Sequence, residues 1–305
     1  MLRKFGQYLL SHIVPAGLIA CLCVMLPWPF SAIAALIVGL LTLEQGPAAG
    51  IVVLLWALLP AMATTLRAHP LALVFDTAFS IAVLVYLFAL ILRYWQSWRL
   101  TLLAVAGLGA LVIFALSLLP VATISHATEQ LVGIITERLR TAVPAQSALL
   151  EGQLKDHVGS LIAGFFAMPL LIAVIYLMLA RRWQWAIKAP GVLQVELYRM
   201  HINWRVTAVL IAVLSVVSMQ GFVWMPALLT VSAIPYLFAG YSVLLAAVAS
   251  LRGQRWLWVG VLLMLTSVIL LALQYAVLVI TLIGVVDSLI YLRRFTLFRT
   301  LGEKT

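Results

Sequence analysis

The chain has 305 residues, of which 65% are hydrophobic and only 9% are charged, and its mean hydropathy is +1.17. A soluble protein of this length cannot bury so much apolar surface, so the composition excludes that class. The net charge of +10 does not indicate nucleic-acid binding, because the basic residues lie between apolar runs, as in membrane proteins.

Apolar runs of about 20 residues recur along the chain, and each of these is long enough to cross a bilayer. They predict an all-α protein with a single integral membrane domain, residues 1–305. Its fold is a polytopic bundle of about 8–10 transmembrane helices in direct contact with the lipid bilayer. The predicted spans cover residues 7–26, 31–43, 47–66, 71–92, 100–119, 159–180, 206–219, 224–250 and two helices within 256–291.

Two segments leave the number of crossings open, because each either spans the bilayer fully or re-enters it. Residues 31–43 would make a helix of about 20 Å, which is shorter than the ~30 Å hydrocarbon core. Residues 257–290 are too long for one crossing, and we divide them near Leu273. Replacing a pair of spans by a re-entrant hairpin leaves both chain ends on the same side.

Residues 125–158 differ in composition from the rest of the chain, since they contain four of the nine acidic residues. Leu131, Ile135 and Leu139 recur at intervals of four, which is typical of an amphipathic helix. The pattern predicts an extracytoplasmic amphipathic insertion that lies along the outer membrane surface or caps the bundle. A solvated loop with weak helicity is the alternative.

The distribution of basic residues predicts the orientation of the chain. With the N-terminus in the cytoplasm and alternating spans, 15 of the 19 Lys and Arg residues lie on the cytoplasmic side. We therefore expect a multi-pass protein of the bacterial inner membrane with both termini in the cytoplasm.

The last span carries an acidic residue, Asp287, where the chain should still lie in lipid. Gly284, Asp287, Tyr291 and Arg294 share one helix face, and Gly284 would let another helix approach closely. One interpretation is a buried carboxylate that faces a partner helix, a ligand or a proton. The other, which we favour here, is a structural pair with Arg293 or Arg294 that fixes the end of the helix.

Two further acids are candidate ligand-binding residues together with Asp287. Asp76 lies about 8 Å inside its span, where it either binds a ligand or anchors the helix N-terminus by pairing with Arg67 or His69. Glu44 lies in a Gly-Pro break beside a short helix, and interrupted helices often mark transporter sites. A simple cytoplasmic turn is the alternative for Glu44.

Other chemistry is not indicated by the sequence. We find no metal-binding motif, no phosphate-binding loop and no catalytic Ser-His-Asp order, so we expect neither an enzyme nor a cofactor. ATP-driven transport would need a separate ATPase, because the chain has no Walker motif.

The C-terminal third contains the run Pro235-Tyr236-Leu237-Phe238-Ala239-Gly240, and the last span ends in Gly284-Val285-Val286-Asp287 and Tyr291-Leu292-Arg293-Arg294. These motifs resemble the YybS-like family of bacterial polytopic membrane proteins, a family of unknown function. The chain departs from the family at Ala239, where Gln is frequent, and at Ile290-Tyr291, which replaces a more polar pair. The family is remotely similar to the substrate-binding membrane components of energy-coupling-factor vitamin transporters, which implies a small-molecule site.

Two functions are compatible with these features. The first is a small-molecule-binding transport component, which the interrupted helices, the three acids and the family resemblance favour. The second is a non-catalytic membrane scaffold or assembly factor that binds a membrane protein partner, which the scarcity of polar residues in the spans favours.

Overall fold

The computed structural model describes residues 2–26, 30–65, 77–118, 133, 158–188, 196, 200–220, 222, 224–250 and 273–290. Over these residues the chain forms ten α-helices and no β-strand, which confirms the all-α prediction. The helices are α1 Leu2–Ser11, α2 Ile13–Met25, α3 Phe30–Glu44, α4 Pro47–Thr65, α5 Thr77–Trp95, α6 Trp98–Ser117, α7 Val158–Lys188, α8 Trp204–Met219, α9 Met225–Ser250 and α10 Leu273–Ile290.

The predicted first span, residues 7–26, is not one continuous helix. It is divided at His12, which has an extended backbone, and the chain bends by 115° between α1 and α2. Pro15 explains the break, because in a continuous helix its ring would clash with the carbonyl of Ser11. After the break, Pro15 lies in the first turn of α2, where a proline is tolerated. The amphipathic α1 therefore lies across the end of the bundle.

The short helix α3 lies at the centre of the molecule. Its 15 residues span about 22 Å, and every residue from 37 to 43 is buried. Gly39 lets α3 approach α7 and α5, since a β-carbon there would meet Ala180 and Val85 at 3.0 Å. Because protein surrounds α3, its polar ends can be satisfied by neighbouring helices, and its length need not match the lipid.

Three groups of buried apolar side chains hold the helices together. One group joins α3, α5, α6, α7 and α9 around Phe88 and Leu177. A second joins α1, α2, α3, α4 and α5 around Leu9 and Ile37. A smaller third group, near Ile202, connects the start of α8 with α9 and α10.

Many large apolar side chains point away from these cores. Leu55 of α4, Phe114 of α6, Val209 of α8 and Leu282 of α10 are all more than half exposed. Exposed apolar surface of this extent is typical of a protein that contacts lipid. Three described helices are long and apolar enough to cross a membrane: Trp98–Ser117, Ala167–Lys188 and Met225–Leu244. The count rises to four if the bent pair α1–α2 forms one span.

The helix bounds follow the predicted spans over most of the described chain. The largest difference is at α7, which continues past the predicted end at residue 180 to Lys188 and so carries basic residues beyond the apolar run. The predicted insertion, residues 125–158, lies outside the described residues except for Gly133 and the start of α7.

Candidate functional site

Asp287 is completely buried on α10. Its Oδ2 atom lies 3.5 Å from Nδ1 of His201, which belongs to the non-helical segment just before α8. The side chain of Asp287 is 1% exposed and that of His201 is 28% exposed. The two residues form an ion pair only when the imidazole is protonated, so the charge of this contact depends on pH.

The burial of Asp287 depends on an unusually close contact between α9 and α10. A β-carbon at Gly284 would overlap the carbonyl oxygen of Tyr236, and one at Gly240 would overlap that of Ile280. The two backbones are therefore in direct contact, as in small-residue helix pairs of membrane proteins. This confirms that Gly284 allows another helix to approach beside Asp287.

Three buried hydroxyl groups, one of them on Ser288, which follows Asp287 in the chain, join α8, α9 and α10. Tyr236 donates a hydrogen bond to Oγ1 of Thr207 over 3.1 Å, and the Thr207 hydroxyl donates to Oγ of Ser288 over 2.9 Å. Ser288 in turn donates to the carbonyl of Val285 over 2.6 Å. We call His201, Thr207, Tyr236, Asp287 and Ser288 the Asp287 cluster.

Apolar side chains surround the Asp287 cluster. Ile202 and Ala239 are buried beside Tyr236, and Leu210 and Val285 pack against them. A carboxylate, an imidazole and three hydroxyls thus share a small region that is otherwise apolar. Ionisable groups placed in such apolar surroundings in membrane proteins are usually paired and often functional.

Glu44 lies in a different polar region, at the C-terminal end of α3. Its Oε1 atom lies 2.8 Å from Nζ of Lys188, and its Oε2 atom accepts a hydrogen bond from Gln184 over 2.7 Å. Arg93 donates from Nη1 to the carbonyls of Thr42 and Leu43, over 3.2 Å and 2.7 Å. Glu44 therefore connects α3 to α7, while Arg93 satisfies the last carbonyls of α3.

A second acid, Glu196, continues this polar region. Arg181 donates to both of its carboxylate oxygens, from Nη2 over 2.7 Å and from Nε over 3.2 Å. Trp98 of α6 donates to the same carboxylate over 3.2 Å, and Arg181 also donates to Gln184 over 2.8 Å. We call this region the basic-end network: Glu44, Arg93, Trp98, Arg181, Gln184, Lys188 and Glu196.

The structure does not bring the three candidate acids into one site. Glu44 belongs to the basic-end network and Asp287 to the Asp287 cluster, while Asp76 lies outside the described residues. Arg293 and Arg294 are also outside the described residues, so their predicted pairing with Asp287 stays a prediction. In the described part of the chain, no group of three or more His, Cys, Asp or Glu side chains could hold a metal ion.

Sequence reasoning missed His201, Thr207 and Ser288, the members of the Asp287 cluster on α8, α10 and the segment before α8. His201 lies in a basic loop and Thr207 lies just beyond it, and the charges of such a loop are interpreted as a signal of membrane orientation. Ser288 is a residue type that is common in spans. One signal was available, because Gly240 and Gly284 mark two helix faces that can meet at backbone distance.

An open groove of about 500 Å³ lies between α4 and α5 at the same end of the molecule as the basic-end network. The groove is lined by Pro47, Leu90, Ile91, Arg93, Tyr94 and Trp95. None of the three candidate acids belongs to this lining.

Comparison with protein-family models, with curated proteins and with solved structures finds no match for this chain. The resemblance to the YybS-like family therefore stays a prediction.

Proposed function

We propose that this chain is a polytopic protein of the bacterial inner membrane that binds a small molecule as a transport component, with Asp287 in the binding site. The observation that carries the proposal is the complete burial of the Asp287 carboxylate between helices, 3.5 Å from an imidazole. Burying an ionisable group at the end of a spanning helix is costly, and in membrane proteins such groups usually serve function.

The contacts at one end of the bundle support the proposed topology. Phe5 of α1 stacks on Trp183 of α7, with ring centroids 6.1 Å apart, and Glu44 pairs with Lys188. The chain segments before α2, after α3, after α5 and after α7 therefore meet at the same end. These are segments that alternating spans place in the cytoplasm, and both termini are proposed to lie on that side.

Labelling of single cysteines tests this topology in a variant with Cys21→Ser and Cys23→Ser. An impermeant maleimide added outside spheroplasts should label Gln146→Cys, in the proposed outer segment, and should not label Arg182→Cys. The reverse pattern would contradict the orientation, and labelling of both positions only after lysis would contradict the outer location of residues 125–158.

The chemistry of the Asp287 cluster indicates the class of ligand. The carboxylate accepts hydrogen bonds or balances a positive charge, while Thr207 and Tyr236 supply hydroxyls that orient a polar group. The apolar neighbours Ile202 and Leu210 suit a ring or a short chain. We therefore propose a small organic molecule that carries a cationic or N–H-donating group, bound without a catalytic step.

Thermal unfolding of the purified full chain in detergent tests the proposal, with thiamine as a cationic probe and riboflavin as a neutral one. A ligand at 100 times its Kd stabilises the folded state by about 2.7 kcal/mol. We expect thiamine to raise the unfolding temperature of the wild type but not of Asp287→Asn. Thr207→Val should weaken the effect, and Thr281→Val is the matched control, because among the described residues the Thr281 hydroxyl donates to the carbonyl of Val277 in its own helix.

An equal thiamine shift in the wild type and in Asp287→Asn would contradict the assignment of the site. The absence of a shift with either probe would contradict the vitamin class that the family resemblance implies. Transport driven by ATP would in addition require a separate ATPase, which co-purification of the tagged chain from the native membrane would reveal.

A non-catalytic scaffold or assembly factor is the second candidate function. It is favoured by the scarcity of polar residues in the spans. Asp287→Asn separates the two functions in cells. A scaffold retains its function in this variant, whereas a ligand-binding transport component loses it while the protein stays folded.

A further inference from the structure

We propose that the groove between α4 and α5 binds one anionic phospholipid, with the headgroup phosphate at Arg93 and an acyl chain along the apolar side chains. The groove is formed by the start of α4 at Pro47 and the last turns of α5. Its volume of about 500 Å³ falls within the range of small-molecule sites, which is roughly 300–1,000 Å³. The site is separate from the Asp287 cluster, with which it shares no residue.

Arg93 provides the positive charge at this site, and its side chain is held in place. Nη1 donates to the carbonyls of Thr42 and Leu43, which fixes the guanidinium against the end of α3. Among the described residues the hydrogen bonds of Arg93 come from Nη1, so the donors on Nη2 and Nε are available for a phosphate oxygen. A planar guanidinium suits this role because it can donate to one phosphate through two nitrogens.

The local charge balance also favours an anion. Glu44 is neutralised by Lys188 through an ion pair of 2.8 Å, and Arg93 is a second cation near the same acid. Two cations against one acid leave one net positive charge beside the groove. Basic pockets between helices on the cytoplasmic side of a membrane are known to select anionic lipid headgroups.

The rest of the lining favours a lipid over a soluble anion. Leu90 and Ile91 provide an apolar wall, and Tyr94 and Trp95 stand at its end with exposures of 85% and 50%. Tyr and Trp are enriched where spanning helices meet the headgroup region. A lipid would contact all parts of this lining, with its headgroup at the cation and the two aromatic rings and its acyl chain along the apolar wall. A free phosphate would contact only the cation.

Native mass spectrometry of the full chain in detergent tests the proposal with phosphatidylglycerol and phosphatidylcholine of identical acyl chains. We expect the first phosphatidylglycerol to bind about five-fold more tightly than phosphatidylcholine, the factor expected for one basic residue at a lipid surface. Leu90→Trp, which fills the groove, should abolish this preference. Leu87→Trp is the matched control, because Leu87 is exposed on α5 three residues earlier and lies outside the lining.

Arg93→Gln provides a second test, because it leaves the apolar wall unchanged. This variant should also abolish the preference for phosphatidylglycerol, whereas Arg93→Lys should keep most of that preference. Glycerol phosphate at millimolar concentration tests for recognition of a free anion. The proposal is overturned if the wild type shows no preference, if the preference persists in both Leu90→Trp and Arg93→Gln, or if glycerol phosphate displaces the lipid. Failure here leaves the proposed function intact, because that function depends on thiamine binding and Asp287.

Discussion

The two polar regions at one end of this bundle use their acids differently. In the basic-end network, Glu44 pairs with the cation Lys188 over 2.8 Å, and Glu196 pairs with the cation Arg181 over 2.7 Å. In the Asp287 cluster, the acid is more deeply buried, with its side chain 1% exposed, and its described neighbour is His201, whose charge depends on pH. The pairs of the basic-end network join helices through a Lys or an Arg, whereas the contact between Asp287 and His201 is an ion pair only when the imidazole is protonated.

The chain itself connects these two regions. Glu196 belongs to the basic-end network and His201 to the Asp287 cluster, and five residues of extended chain span at most about 18 Å. Variants in one region can therefore be compared directly with variants in the other.

We expect the largest effect from the close contact that positions Asp287. Gly240→Ala should destabilise the protein by about 3 kcal/mol or more, at the upper end of the cost of overpacking, because the added methyl overlaps the carbonyl of Ile280. Gly107→Ala is the matched control, since a β-carbon there meets no atom of the described residues within 4 Å. Thermal unfolding in detergent measures both, and equal stability of the two variants would show that α9 and α10 are not in backbone contact.

Part of this architecture could be predicted from the sequence. The Glu44-Gln45-Gly46-Pro47 break was predicted to end one helix and to start the next at Pro47, and the structure confirms both. Gly46 has a φ of 109°, a conformation that suits glycine and explains the tight turn.

Other features could not be predicted, for identifiable physical reasons. Hydropathy locates the end of an apolar run but not the end of a helix, so the extension of α7 to Lys188 was missed. The contact of Asp287 with His201 depends on tertiary packing of α8 against α10, which no local pattern contains. The bend at His12 is different, because Pro15 was a local signal for a helix break inside the predicted span, residues 7–26.

The next largest effect should come from the basic-end network. Arg181→Ala should cost about 2 kcal/mol, because it leaves Glu196 without two charged hydrogen bonds at a largely buried position. Arg182→Ala is the control, because it removes the same charge from the adjacent exposed position. A similar loss of stability in both variants would indicate that total charge, and not the paired geometry, stabilises this end.

Glu44→Gln should have a small effect on stability. The ion pair with Lys188 is partly exposed, at 52% for Lys188 and 19% for Glu44, and such pairs contribute about 0.5 kcal/mol. A double-mutant cycle with Lys188→Met measures the coupling. The rise in unfolding temperature induced by thiamine should be unchanged in Glu44→Gln. Loss of that rise would indicate that Glu44 takes part in ligand binding.

The most direct test of the binding role of Asp287 is the unfolding temperature of Asp287→Asn, measured with and without thiamine. Asn has almost the same shape as Asp and avoids the cost of burying a charge, so the variant should unfold within about 2 °C of the wild type. It should also show no thiamine-induced stabilisation. A variant that loses several degrees of stability but is still stabilised by thiamine would contradict the proposal and show that Asp287 is a structural residue.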